Sequence, residues 1–172
     1  MGLSKEPLFD ADAIQARIGE LAAELDVAFD GGPVVAVVAL KGALPFAADL
    51  IREMKTPLEL EVIRAKSYIG TESSGDVSVP VIPEGDLSGK TVLVIEDIID
   101  TGSSIRAIYG ALINLYPQRI HVVTLLDKPS GRTVDFEPDW TGFSIEDVFV
   151  VGYGMDHDEA YRQLPAIYTL EL

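Results

Sequence analysis

Residues 92–105 read VLVIEDIIDTGSSI: an aliphatic run that ends in Glu96 and Asp97, adds Asp100, and turns on Thr101-Gly102-Ser103-Ser104. Clustered carboxylates repel one another and resist desolvation, so a segment serving only the core would avoid them. Backbone amides at a helix start, ringed by hydroxyls, make a phosphate cradle, and a glycine there lets the chain approach closely. A Ser/Thr-capped helix with a glycine turn uses the same residue types, so the turn alone says little. The acids decide. Carboxylates beside a phosphate repel it unless they face sugar hydroxyls or a divalent cation. Phosphate, polyol and metal together point to a sugar phosphate.

The surrounding elements must bring this segment to a surface. Ile14, Ile18, Leu21 and Leu25 recur at helical steps after a capping Asp10. GGP (31–33) breaks that helix, and VVAVVAL then reads as a buried strand. Residues 43–54 suit a second helix, with Pro45 tolerated in its first turn. LELEVIRA (58–65) alternates like a strand with one polar face. KSYIGTESSGDVSV (66–79) is rich in Ser, Gly and Thr, the composition of a loop tip or a mobile lid. A strand over 91–96, a helix from about 103 to 115 and a strand RIHVVTLL (119–126) follow. VFVVGYG (148–154) and AIYTLEL (166–172) read as late strands. Strands alternating with helices imply an α/β fold with a largely parallel sheet, in which ligands sit at the carboxyl ends of strands. Residues 96–104 occupy such an end.

The 172 residues fit one domain, with 48% apolar and 24% charged residues. The absence of cysteine excludes disulfides and thiolate metal sites. The longest aliphatic stretch, PVVAVVAL (33–40), is too short to span a bilayer, and the N-terminus lacks the layout of a secretory signal. A cytoplasmic location without a membrane partner is the expectation. A net charge of −15 and a pI near 4.3 argue against nucleic acid, whose phosphates require clustered Lys and Arg.

VLVIEDIIDTGSS resembles the phosphoribosyl-pyrophosphate (PRPP) motif of the type I phosphoribosyltransferases. LKGALPF (40–46), KSYIG (66–70), LLDKP (125–129) and FVVGYGMDHDEAYRQLP (149–165) resemble further segments of that family's hypoxanthine-guanine branch, in the family's order. The resemblance covers nearly the whole chain. It implies a single domain over 1–172 with the type I fold: a central, mostly parallel sheet flanked by helices, a flexible lid over 66–79 and a small hood. It also implies a magnesium-dependent enzyme of purine salvage, acting on PRPP and a 6-oxopurine as a homodimer or homotetramer.

Residue by residue, the resemblance gives Glu96 and Asp97 to the ribose hydroxyls and a metal. Asp100 falls to the imidazole edge of the purine, as general base, and Thr101, Gly102, Ser103 and Ser104 to the 5-phosphate. Lys41 and Gly42 match a pyrophosphate-contacting loop whose peptide is often cis. Ser67, Tyr68 and Arg162 match further pyrophosphate contacts, with Tyr68 and Lys41 among the catalytic groups. Lys128 matches the reader of the 6-oxo group, Phe149 the aromatic that stacks on the base, and Val150 a donor of backbone hydrogen bonds to its edge. Asp156 matches a magnesium ligand beside the base. His121 and His157 have no such counterpart and read as structural. Two other classes stay in view. A non-catalytic PRPP-sensing regulator would need a DNA-binding extension, for which 172 residues leave no room. A phosphoacceptor signalling domain would not crowd all three acids onto one strand end.

Overall fold

The helical period before residue 30 is realised as α1 (Ala11–Phe29). Asp10 caps it, its Oδ1 accepting from the Ala13 amide at 2.8 Å, and Ile14, Ile18, Leu21 and Leu25 are all buried. The computed structural model describes residues 2–67 and 77–171. After the turn at Asp30 and Gly31, β2 (Val34–Ala39) buries six consecutive residues, the pattern of a strand covered on both faces. Helix α2 (Leu44–Glu53) follows, with Pro45 in its first turn. The chain continues through β3 (Leu58–Ser67), β4 (Val77–Val81), β5 (Thr91–Ile99), α3 (Ser103–Ile113) and β6 (Arg119–Asp127). A single 3-10 turn (Pro129–Gly131) leads to β7 (Trp140–Ser144).

These strands form a six-stranded sheet in the order β4-β3-β2-β5-β6-β7. Every neighbouring pair is parallel except β3 and β4. After β2 the chain moves outward to β3, then returns to place β5 on the opposite side of β2. The order therefore reverses between β2 and β5, and the crevice beyond their carboxyl ends is the expected ligand site of an open α/β sheet. A second sheet, β1 (Gly2–Leu3), β9 (Tyr168–Glu171) and β8 (Val150–Val151), is antiparallel and forms the hood. Val150 of this sheet and Ile167, just before β9, join the same hydrophobic core as the large sheet. No helix among the described residues is long and apolar enough to cross a membrane.

Several expectations need correction. β5 runs three residues past 96, so Glu96 and Asp97 belong to the strand and pairing continues to Ile99 opposite Asp127. VFVVGYG is strand only at Val150–Val151, because Gly152 and Gly154 take φ of 99° and 98° and turn the chain. In β3 the alternation does not bury the face that carries Leu60 and Val62. Leu60 and Val62 are exposed, whereas Glu61 accepts the Glu84 and Gly85 amides and Glu59 pairs with Lys90. The two ends of the expected 66–79 loop are strand, in β3 and β4. The rest of that expectation, 68–76, lies outside the described residues. β1, β4 and β7 were not expected.

Candidate active site

Three segments meet at the β2–β5 crevice. The first is the turn after β2, where the Leu40–Lys41 peptide is cis. Gly42 sits directly against the β5 acids: a Cβ there would lie 1.8 Å from Asp97 Oδ2. The third segment closes the corner, since a Cβ on Gly154 would lie 2.1 Å from the Gly42 carbonyl oxygen. Glycine is required at both positions for the chains to approach this closely.

The second segment is the end of β5. Glu96 is buried and Asp97 half-buried beside it. Burial raises the pKa of both carboxyls, Glu96 well above the ordinary range, and the neighbouring Asp97 charge pushes Glu96 further. Arg162 offsets part of the Asp97 charge, but no cation is among the groups that shift Glu96, so a cation and hydroxyl donors would complete the pair's neutralisation. Among the described residues no three His, Cys, Asp or Glu side chains cluster as a metal site. One or two carboxylates that leave the remaining positions to substrate oxygens suit magnesium, which keeps few protein ligands. The pair fits such an ion. Asp156 lines the same cavity as Asp97, but its Oδ1 pairs with Arg162 at 2.8 Å and its Oδ2 accepts the Glu159 amide at 2.8 Å.

Beyond β5 the chain turns through Gly102, φ 84°, into α3. Gly102 is the N-cap residue, and no side chain caps the helix. A Ser/Thr-capped helix, the bland alternative for this turn, is therefore not what forms. Thr101 Oγ1 accepts from the Ser103 amide at 3.3 Å and donates to the Ser103 hydroxyl at 3.3 Å, which leaves the other first-turn amides of α3 without a capping side chain. The turn is braced from below by Arg132, whose Nε donates to the Asp100 carbonyl at 3.0 Å and whose other nitrogens bind Asp127 and the Phe136 carbonyl. Thr133 and Val134 amides donate to the Thr101 carbonyl. Nothing in the sequence singled out Arg132, an isolated basic residue with no periodic partner.

Lys128 follows β6 and is buried, its Nζ 2.8 Å from Asp100 Oδ2 and 2.9 Å from Asp147 Oδ1. Burial alone would lower its pKa, but the hydrogen bonds it donates to Asp100 and Asp147 outweigh this and raise it. Gly131 packs against the same acid, for a Cβ there would lie 2.3 Å from Asp100 Oδ1. A cavity of about 170 Å³ opens at this pair, lined by Asp97, Asp100, Lys128, Phe149, Val150 and Met155 among others. Larger cavities of about 300 and 360 Å³ lie near Arg132 and beside α3. Neither reaches the β5 acids or Lys128, so the smaller one is the candidate site.

Phe149 is 40% exposed and meets His157 edge-on, ring centroids 5.4 Å apart. His121 stays in the packing, bonded to Asp139 and edged against Phe29 and Trp140, far from this crevice in its contacts. Lys41 Nζ lies 3.0 and 3.1 Å from the two carboxylate oxygens of Glu159, which also lies 3.3 Å from Arg162. Sequence reasoning missed Glu159 and Asp147, because acids in loops read as solvated charge. Tyr68 lies outside the described residues, and of Ser67 only the backbone is described, within β3.

Comparison with known proteins identifies the family. The family model of the phosphoribosyl transferase domain matches residues 4–158. The hypoxanthine-guanine phosphoribosyltransferase of Bacillus subtilis is 42% identical over 165 residues, covering 95% of this chain and 92% of that protein. A hypoxanthine phosphoribosyltransferase from Staphylococcus aureus superposes with a TM-score of 0.91 at 41% identity, over 97% of this chain and 91% of that one. The Trypanosoma cruzi enzyme, described for the role of its C-terminal region in oligomeric state and activity, gives 0.92 at 33% identity over 99% and 93%.

Proposed function

The chain belongs to the phosphoribosyltransferase family, in its hypoxanthine-guanine branch, and from that premise we propose that it transfers the 5-phosphoribosyl group of PRPP to N9 of hypoxanthine and of guanine, releasing pyrophosphate with IMP or GMP. The observation that carries the reading is the Lys128–Asp100 pair in the floor of a cavity that also holds Phe149, one strand end away from Glu96 and Asp97. An ammonium donor beside a carboxylate acceptor matches a 6-oxopurine, which offers an acceptor at O6 and a proton to shed from its imidazole ring.

In this reading the α3 amides and the hydroxyls of Thr101, Ser103 and Ser104 hold the 5-phosphate. Glu96 and Asp97 hold the ribose hydroxyls, so that a cationic, oxocarbenium-like sugar forms against fixed negative charge. Lys41 and Arg162 take the pyrophosphate, with Gly42, Ser67 and Tyr68 completing its contacts. A magnesium ion held by Glu96 and Asp97, with Asp156 near the base, would neutralise charge on the departing pyrophosphate. Phe149 stacks on the purine, Val150 main-chain groups meet its edge, and Lys128 donates to O6. Asp100 then takes the ring proton as N9 attacks C1. The whole chain serves as one catalytic domain, in the cytoplasm. The exposed Leu60 and Val62 on one face of β3 support assembly as a homodimer or homotetramer.

The test is pyrophosphate release from PRPP and magnesium with each of hypoxanthine, guanine and adenine. Adenine sets a donor against the Lys128 ammonium and leaves a buried charge without its acceptor. It should be slower than hypoxanthine by roughly two orders of magnitude or more. Equal rates with adenine and hypoxanthine would remove Lys128 as the selecting group.

A further inference from the structure

We propose that Asp147 is a positioning residue for base recognition: it holds the Lys128 ammonium in the purine cavity when Asp100 turns from Lys128 to the substrate. The inference rests on the reading of Lys128 as the donor to O6.

Lys128 Nζ is flanked by two carboxylates, Asp100 at 2.8 Å and Asp147 at 2.9 Å, while its side chain is only 6% exposed. An ammonium has three hydrogens, so two are committed and one remains for a ligand. Asp100 cannot keep its place. To accept a proton from the purine it must turn an oxygen toward the ring, which weakens or breaks its bond to Lys128. With no second acid, the buried ammonium would then face the base with its counter-charge withdrawn, a costly state. Asp147 removes that cost. It also reaches the ammonium from outside, being 69% exposed, so base and acid need not compete for one side of the nitrogen.

The chain context fits a positioning role. Asp147 lies in the loop between β7 and β8, two residues before Phe149 and three before Val150. That loop is fixed locally, with the Ile145 amide on the Asp127 carbonyl at 2.9 Å and the Val148 amide on Glu146 at 2.8 Å. The Asp147–Lys128 pair thus ties the segment that stacks on the base to the residue that reads it. A solvated surface acid would not be held 2.9 Å from a buried ammonium.

Asp147→Asn, Asp147→Glu and Lys128→Ala are compared with the wild type, using the three bases with PRPP and magnesium. Asp147→Asn should raise KM for hypoxanthine roughly tenfold, the loss of one charge-assisted contact tempered by the exposure of the acid. KM for PRPP should stay unchanged, the hypoxanthine-to-adenine ratio of kcat/KM should fall, and Asp147→Glu should recover most of both losses. Equal losses toward PRPP and hypoxanthine, or no loss toward either, would overturn the proposal. Lys128→Ala separates the two levels. If it leaves the hypoxanthine-to-adenine ratio intact, the underlying reading of base recognition fails. If it collapses that ratio while Asp147→Asn does not change it, only the role of Asp147 fails.

Discussion

Gly42 and Asp97 are packed so tightly that a single added Cβ would stand 1.8 Å from the Asp97 carboxylate. This contact joins the turn after β2 to the end of β5 across the point where the strand order reverses. It makes the turn after β2 and the acids of β5 one packed unit. Gly42→Ala must therefore displace Asp97 or the loop itself. Misplacing a substrate-holding group by about 1 Å can cost 10²-fold, so kcat/KM for PRPP should fall by roughly that factor. Steady-state kinetics with varied PRPP measure it. A folded variant with wild-type kcat/KM would show that the two segments can separate without harm.

Asp100→Asn should lower turnover by roughly 10²- to 10⁴-fold, the range for a lost acid-base group. PRPP binding should persist, because the α3 amides, Glu96 and Asp97 are untouched. Titration calorimetry of PRPP, set against kcat at saturating substrates, separates the two effects. Asp147 should keep Lys128 in place in this variant, so the fold should survive as well.

The legibility of this chain followed the length and regularity of each signal. Ile14, Ile18, Leu21 and Leu25 have a clear helical period, and all four lie in the core. β2 is an unbroken apolar run and behaves as one. β5 runs three residues past 96, where Glu96 and Asp97 resemble an ending although Ile98 and Ile99 carry the ladder on. Trp140–Ser144 has a glycine at its centre and Gly2–Leu3 only two residues, too little pattern for either strand to declare itself. The site acids on β5 stood out because clustered buried carboxylates are costly without a ligand. Arg132, Asp147 and Glu159 act through partners distant in sequence, and no local pattern marks such residues.

Glu159 places a carboxylate on Lys41 and Arg162, the two cations read as pyrophosphate contacts. Its pKa is lowered by the hydrogen bond from Lys41 and then that from Arg162, so it remains charged there. On that reading pyrophosphate would have to displace it. Glu159→Gln should tighten PRPP and pyrophosphate binding by roughly two- to fivefold, a modest factor because the pair is exposed. The gain should shrink as salt is raised. Weaker binding in this variant would mean that Glu159 instead orients Lys41 for the ligand.

Glu96 offers a test through stability rather than activity. Its folded-state pKa is raised above the ordinary value of 4.5, first by burial and then by the charge of Asp97. A carboxyl with a raised folded value binds more protons in the native state than in the unfolded one between those two values. Stability contributed by its protonated form is therefore present at low pH and lost as pH rises through that window. Glutamine is a neutral stand-in for the protonated acid and carries no such loss. Glu96→Gln should thus be more stable than wild type at and above neutral pH, with a higher Tm. The advantage should narrow on acidification and vanish below the ordinary carboxylate value. Denaturant unfolding of both proteins across that pH range measures the gap. The same substitution should weaken PRPP binding if, as proposed, Glu96 is one of the two charges that hold the ribose hydroxyls. Added PRPP and magnesium should accordingly raise the Tm of the wild type more than that of the variant. A variant less stable than wild type at neutral pH would mean that the Glu96 charge is held by the fold itself and not kept for a ligand.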